Sequence, residues 1–213
     1  MAIVHGVFAG IRGKVGNVIY QVNKGEQILK QMAYPENPQS SGQTTYRTVF
    51  KFVIEAFKSL SKNWINIFWS PFLSGNQQAW GKFIGVNLDH MAGSFAGDDA
   101  ILSQGSLEGV ADLTCTYDTA DGAVAVNFDG TIHLNGEASD CINACIYDAD
   151  QKKVVGYEFG TDTRFDEGFN FYVPSGLTAT NLTCYLTMSN TEALSIPPTA
   201  VSDSQKCTCS APV

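Results

Sequence analysis

Apolar positions along the chain follow two different periods, and the change of period divides it. Near the start, β-rich runs at 15–22 and 26–32 flank Asn23-Lys24-Gly25, a short Asn/Gly turn that predicts a β-hairpin. Val18, Tyr20 and Val22 would share one face of the first strand. After the proline-bearing stretch 34–43, Val49, Val53, Ala56, Phe57, Leu60 and Trp64 recur at helical spacing. They predict a helix from about Thr44 to Trp64. A strongly apolar segment, Ile65–Leu73, follows and contains Pro71. A second, shorter helix is expected over Asn76–Asn87, with Trp80, Phe83 and Ile84 inward.

Beyond residue 110 the period shortens. Strand-like runs lie at Leu113–Tyr117, Ala123–Phe128, Ile142–Tyr147, Lys153–Phe159, Gly168–Val173, Thr183–Met188 and Ser204–Cys209. Turn chemistry separates them: Thr119-Ala120-Asp121-Gly122, Asp148-Ala149-Asp150-Gln151 and Pro174-Ser175-Gly176. About seven short strands with a turn every eight to twelve residues is the pattern of an immunoglobulin-like sandwich. The Cys-Trp-Cys hallmark of antibody domains is absent, since no Trp follows Trp80. The fold class expected is therefore an α+β N-terminal domain, a β-hairpin plus two helices, followed by an all-β immunoglobulin-like sandwich.

Charge sharpens the division. Residues 1–90 hold nine Lys/Arg and four Asp/Glu, whereas 91–213 hold four and seventeen, so a net of +5 faces a net of −13. The expected organisation is a basic docking domain over 1–92, a Gly/Ser-rich linker over 93–110 and an acidic sandwich over 111–213. Only 16% of the 213 residues are charged, below the roughly 25% usual for soluble domains. A low charge with a dense aromatic load in residues 64–83 points to an oligomer or an assembly interface.

The motifs of catalysis are missing. His5, His90 and His133 sit in no HExxH pattern and near no GxSxG elbow. Asp148-x-Asp150 has no calcium-loop Glu after it. Gly10, Gly13 and Gly16 lack a following Lys-Ser/Thr pair and precede a strand, so turn and bulge glycines explain them better than phosphate binding. The six cysteines, Cys115, Cys141, Cys145, Cys184, Cys207 and Cys209, include no Cys-x2-Cys knuckle and read as small buried hydrophobes on strands. No enzyme activity, metal or cofactor is expected. The first basic residue follows the early apolar stretch, which fits no secretory signal, and the thiols are expected reduced in a cytoplasm.

The segment Gly10-Ile11-Arg12-Gly13-Lys14-Val15-Gly16-Asn17-Val18 resembles the opening of a family of unknown function common in Bacteroidetes bacteria and their phages. Asn37-Pro38, Gln43, Arg47, the stretch 77–88 and Val201-Ser202-Asp203-Ser204 are similar to that family's later landmarks, in order. The resemblance implies no catalytic residues; its phage context implies a virion component of head or tail, made in a host cytoplasm.

The resulting expectation is a non-enzymatic structural protein. Its N-terminal part would dock on the particle through Trp64, Phe68, Trp69, Phe72, Trp80 and Tyr20, while the sandwich projects. Partners would be other virion proteins or further copies of the chain, with no membrane. Two alternatives stand beside it. Arg12, Lys14, Lys24, Lys30, Arg47 and Lys51 would form a nucleic-acid or acidic-partner footprint. Tyr157, Phe165 and Phe169 would stack on carbohydrate or a host surface, although core packing explains such rings equally well.

Overall fold

The computed structural model describes residues 2–4, 13–23, 26–32, 39–60, 62–75, 77–91, 99–193 and 198–212. The chain divides into two compact units, residues 1–40 and 41–213.

The first unit is a four-stranded antiparallel sheet of β1 (Ala2–Val4), β2 (Gly13–Val15), β3 (Val18–Asn23) and β4 (Glu26–Gln31), in the order β1-β4-β3-β2. The expected hairpin is its centre, with Val18 opposite Gln31 and Asn23 opposite Glu26. β2 joins β3 through Gly16-Asn17, where Gly16 takes a φ of +57° that favours glycine. None of the side chains described in this sheet is buried, and Val15 is 65% exposed.

All the helices among the described residues lie in the second unit. α1 (Ser41–Phe57), α2 (Lys62–Trp69) and α3 (Ala79–Met91) are followed by β5 (Ala111–Tyr117), β6 (Ala123–Asp129), β7 (Cys141–Asp148), β8 (Lys153–Thr163), β9 (Gly168–Tyr172), β10 (Leu182–Ser189) and β11 (Gln205–Thr208). Each of the seven expected strands is present. The single helix expected over 44–64 is two, because the chain turns at 58–60, where Ser59 Oγ donates to the Val154 carbonyl of β8 at 2.7 Å.

The strands form two antiparallel sheets, β11-β10-β7-β8 and β5-β6-β9. Every residue of β7 and β10 is buried. Alternation explains how. Ile142, Ala144, Ile146, Leu182, Cys184, Leu186 and Met188 enter a core shared with Cys115, Val124, Val126, Phe169 and Phe171 of the other sheet. Cys145, Tyr147 and Tyr185 point the opposite way, into a core built with α1, α2 and α3. Three layers result: helices, the four-stranded sheet, then the three-stranded sheet.

The boundary expected near residue 92 is therefore misplaced, because the helices are one wall of the strand-bearing unit. Nor is the described part of the expected linker, 99–110, loosely held. Asn87 clamps it, accepting from Ile101 N–H at 2.8 Å and donating to the Ile101 carbonyl at 2.9 Å. Tyr185 Oη accepts from Ala100 N–H at 3.1 Å, and Leu102 N–H donates to Ser204 Oγ at 3.0 Å. Leu102 is fully buried.

Candidate functional site

The aromatic cluster expected to form a docking surface is mostly interior. Trp64, Phe68 and Trp69 have no exposed surface. Trp64 packs on Phe159 of β8 with ring centroids 5.2 Å apart, Trp69 meets Phe83 at 5.8 Å, and Phe57 stacks on Tyr147 at 5.9 Å. The rings fill the space between helices and sheet. A hairpin with two helices would be too thin a core for them, but here the sheet supplies the second wall. Phe72 and Trp80 are half-buried, and Trp80 lines an open cleft with Lys58, Leu60, Lys62, Ile65 and Asn66. Tyr20 lies in the N-terminal sheet, half-buried.

The described basic residues fall into two pairs, Lys14 with Lys30 on one face of the N-terminal sheet and Arg47 with Lys51 one turn apart on α1. Lys14 on β2 and Lys30 on β4 are exposed on strands separated by β3. Arg47 and Lys51 are exposed on α1, and Lys51 Nζ lies 3.9 Å from Glu55, an exposed pair of little energetic weight. Arg12 and Lys24 lie outside the described residues. Of the rings considered for stacking, Phe169 is in the core and Tyr157 edges onto Trp64 at 6.2 Å. Only Phe165 stands free, 80% exposed.

Phe165 sits on a built loop cluster. Arg164 is 1% exposed, and its guanidinium donates to the Gly109 carbonyl at 2.6 Å and lies 3.4 Å from Asp140 Oδ2. Burial pushes the Asp140 carboxyl above its ordinary range, against the pull of the Glu137 N–H and of Arg164. Glu108 accepts from the backbone N–H groups of His133 at 2.9 Å and Leu134 at 2.9 Å, which hold its carboxyl below the usual range. Asp166 receives Thr163 N–H at 2.7 Å and is lowered likewise. This knot fixes the loop 130–140 against 164–167 and presents Phe165, Leu134 (87% exposed) and Ile132 (40%) to solvent. Nothing in the spacing of a lone Arg164 signalled its role.

The cysteines are more organised than small hydrophobes need be. All six are free thiols, and five are buried, with Cys207 half-buried. Cys184 on β10 is the register partner of Cys207 on β11. Cys209, two residues on, donates its N–H to the Leu182 carbonyl at 2.8 Å. Cys115 on β5 accepts from Ser210 N–H at 2.9 Å, and a parallel bridge pairs Thr116 with Ser210. The Cys115 thiol contacts those of Cys184, Cys207 and Cys209. These contacts, with burial, push Cys115 far up. Cys115 pulls the Cys184 thiol down, but Cys207 and complete burial raise it on balance. Contacts from Cys115 and then Cys184 hold Cys207 well below the ordinary thiol range. Among the described residues, no three His, Cys, Asp or Glu side chains are arranged to hold a metal ion. The hint available in the sequence was Cys207-x-Cys209, which puts two thiols on one face of a strand.

No helix among the described residues is long and apolar enough to cross a membrane. Comparison with family models, characterised proteins and solved structures finds no match to this chain.

Proposed function

We propose that this chain is a non-enzymatic structural protein, a bacteriophage virion component of head or tail, whose N-terminal sheet docks on the particle while unit 41–213 projects. One observation carries the reading: the four-stranded sheet of residues 2–31 has no buried side chain among those described, whereas unit 41–213 fills two cores of its own. Sheets of this size gain their stability by covering an apolar face. Half-buried Val18, Tyr20, Val22 and Leu29 share one face of the sheet and offer it to a partner. Docking is thus assigned to Tyr20 and its neighbours, and the interior Trp64, Phe68 and Trp69 are withdrawn from it. The resemblance of residues 10–18 to a phage-associated family supports the virion setting.

The strand order supports an immunoglobulin-like sandwich for the projecting part. β5-β6-β9 against β11-β10-β7-β8 follows the A-B-E against G-F-C-C′ arrangement of that architecture. The helices α1–α3 are then an addition on the outer face of the larger sheet. A charge of −13 over 91–213 disfavours packing of such faces on one another and suits an outward position.

Quantitative mass spectrometry of purified particles tests the proposal. A fixed copy number per particle supports it; a chain present in infected cells but absent from particles refutes it. The exposed Phe165 beside Leu134 favours a second reading, in which the loop end binds a host surface or glycan. Phe165→Ala would abolish that binding without lowering incorporation into particles.

A further inference from the structure

We propose that Cys115, Cys184, Cys207 and Cys209 form a built oxidation site that closes into two disulfides, Cys184–Cys207 and Cys115–Cys209, tying the last strand and the chain after it to both sheets. The geometry selects these pairs. Cys209 N–H bonded to the Leu182 carbonyl makes that a hydrogen-bonded pair, and alternation along the ladder makes Cys184 and Cys207 another. Such partners have Cα atoms about 5.5 Å apart. The parallel bridge of Thr116 to Ser210 sets Cys115 beside Cys209 at the inter-strand spacing of about 4.8 Å. Both separations lie in the range of roughly 4.4–6.8 Å that a disulfide spans. By backbone spacing Cys115 to Cys207 is the poorer match, because Cys207 lies a further two residues along its strand, although the two side chains interact. Cys115, Cys184 and Cys209 belong to the core between the sheets, and Cys207 packs against it.

Cys207 is the entry point, since it is the only half-buried member of the four. With a small-molecule disulfide such as oxidised glutathione as oxidant, the Cys207 thiolate attacks one sulfur and releases one glutathione thiolate. The Cys184 sulfur, losing its proton, then attacks Cys207 Sγ and releases the second. Two protein thiols give up two electrons and two protons, and one glutathione disulfide becomes two thiols. The Cys115–Cys209 bond forms by the same exchange with a second oxidant molecule. Cys145 faces the helices, in the other core, and takes no part.

The test uses the full chain, reduced, then incubated with oxidised glutathione, and counts thiols after unfolding. The titre falls from six to two, with Cys141 and Cys145 remaining, and melting temperature rises by several degrees over the reduced form. Cys207 and Cys209 are close enough in sequence to share a peptide, so C207S and C209S assign the bonds. C209S keeps Cys184–Cys207, and C207S keeps Cys115–Cys209 but loses its first thiols at least tenfold more slowly. Circular dichroism of each reduced variant confirms that it is folded. A titre that stays at six, a lone glutathione adduct on Cys207, a bond to Cys141 or Cys145, or one tightly bound zinc ion that shields four thiols would each overturn the proposal.

Discussion

Trp64 and Trp69 are both fully buried in the same core, but their indole nitrogens differ. Trp69 Nε1–H donates to the Leu102 carbonyl at 2.9 Å, while Trp64 Nε1 has no hydrogen-bond partner. Changing each to Phe removes the same atoms, so the transfer and cavity costs largely cancel in the comparison. What remains is the polar part. Trp69→Phe leaves the buried Leu102 carbonyl without that donor, at about 1–3 kcal/mol, whereas Trp64→Phe removes an unsatisfied donor and recovers a cost of similar size. Trp69→Phe should therefore be the less stable variant by about 2–6 kcal/mol. At roughly 2–4 °C per kcal/mol for a domain of this size, its melting temperature should lie about 4–24 °C lower. Urea denaturation of both variants, followed by far- and near-ultraviolet circular dichroism, measures the gap. Because Leu102 follows α3 and packs toward the strands, both probes should report one transition for unit 41–213. Equal stabilities, or a less stable Trp64→Phe, would refute the placement of these rings, and separate transitions would refute the common core.

Other consequences are equally open to measurement. Arg164→Ala strands the buried Asp140 carboxylate and should cost about 3–5 kcal/mol in denaturant titrations, while unit 1–40 is unaffected. Asn87→Ala removes bonds to both Ile101 and the Phe83 carbonyl, so amide exchange at 100–102 should accelerate far more than in β7. Glu108, Asp129 and Asp166 have lowered folded pKa values, so their contribution is present above the unfolded carboxylate range near about 4 and is lost as pH falls through the lower folded values. Amide exchange in loop 130–137 should therefore rise on acidification before the strands respond, and a loop that loosens instead toward alkaline pH would contradict the sign.

The strands were legible because turn residues bracket them, but the third layer was signalled by what the strands lack. CINACIYD and LTCYLTMS do not alternate between apolar and polar, the mark of a strand covered on both faces. Read that way, they call for something on the outer face of the sheet, and the apolar stripe of α1 with the rings of α2 is what fits. Charge misled on the same point: the helices carry much of the positive net charge of residues 1–90 yet belong with the acidic strands, because burial rather than net charge decides which segments fold together. The break between α1 and α2 left no trace in the periodicity, since Leu60 and Trp64 continue the stripe and both are buried. The thiol cluster depends on register between β10 and β11 and on a bridge to β5, which residue spacing does not encode.

Residues 1–40 are proposed here as an assembly element on a self-sufficient unit 41–213. Size-exclusion chromatography with light scattering, on the full chain and on residues 41–213 at matched concentrations with isolated particle proteins, tests it directly. Residues 41–213 should remain a monomer with an unchanged melting temperature and no association, while the full chain oligomerises or binds the particle. A truncated chain that unfolds, or one that associates as strongly as the full chain, would contradict it.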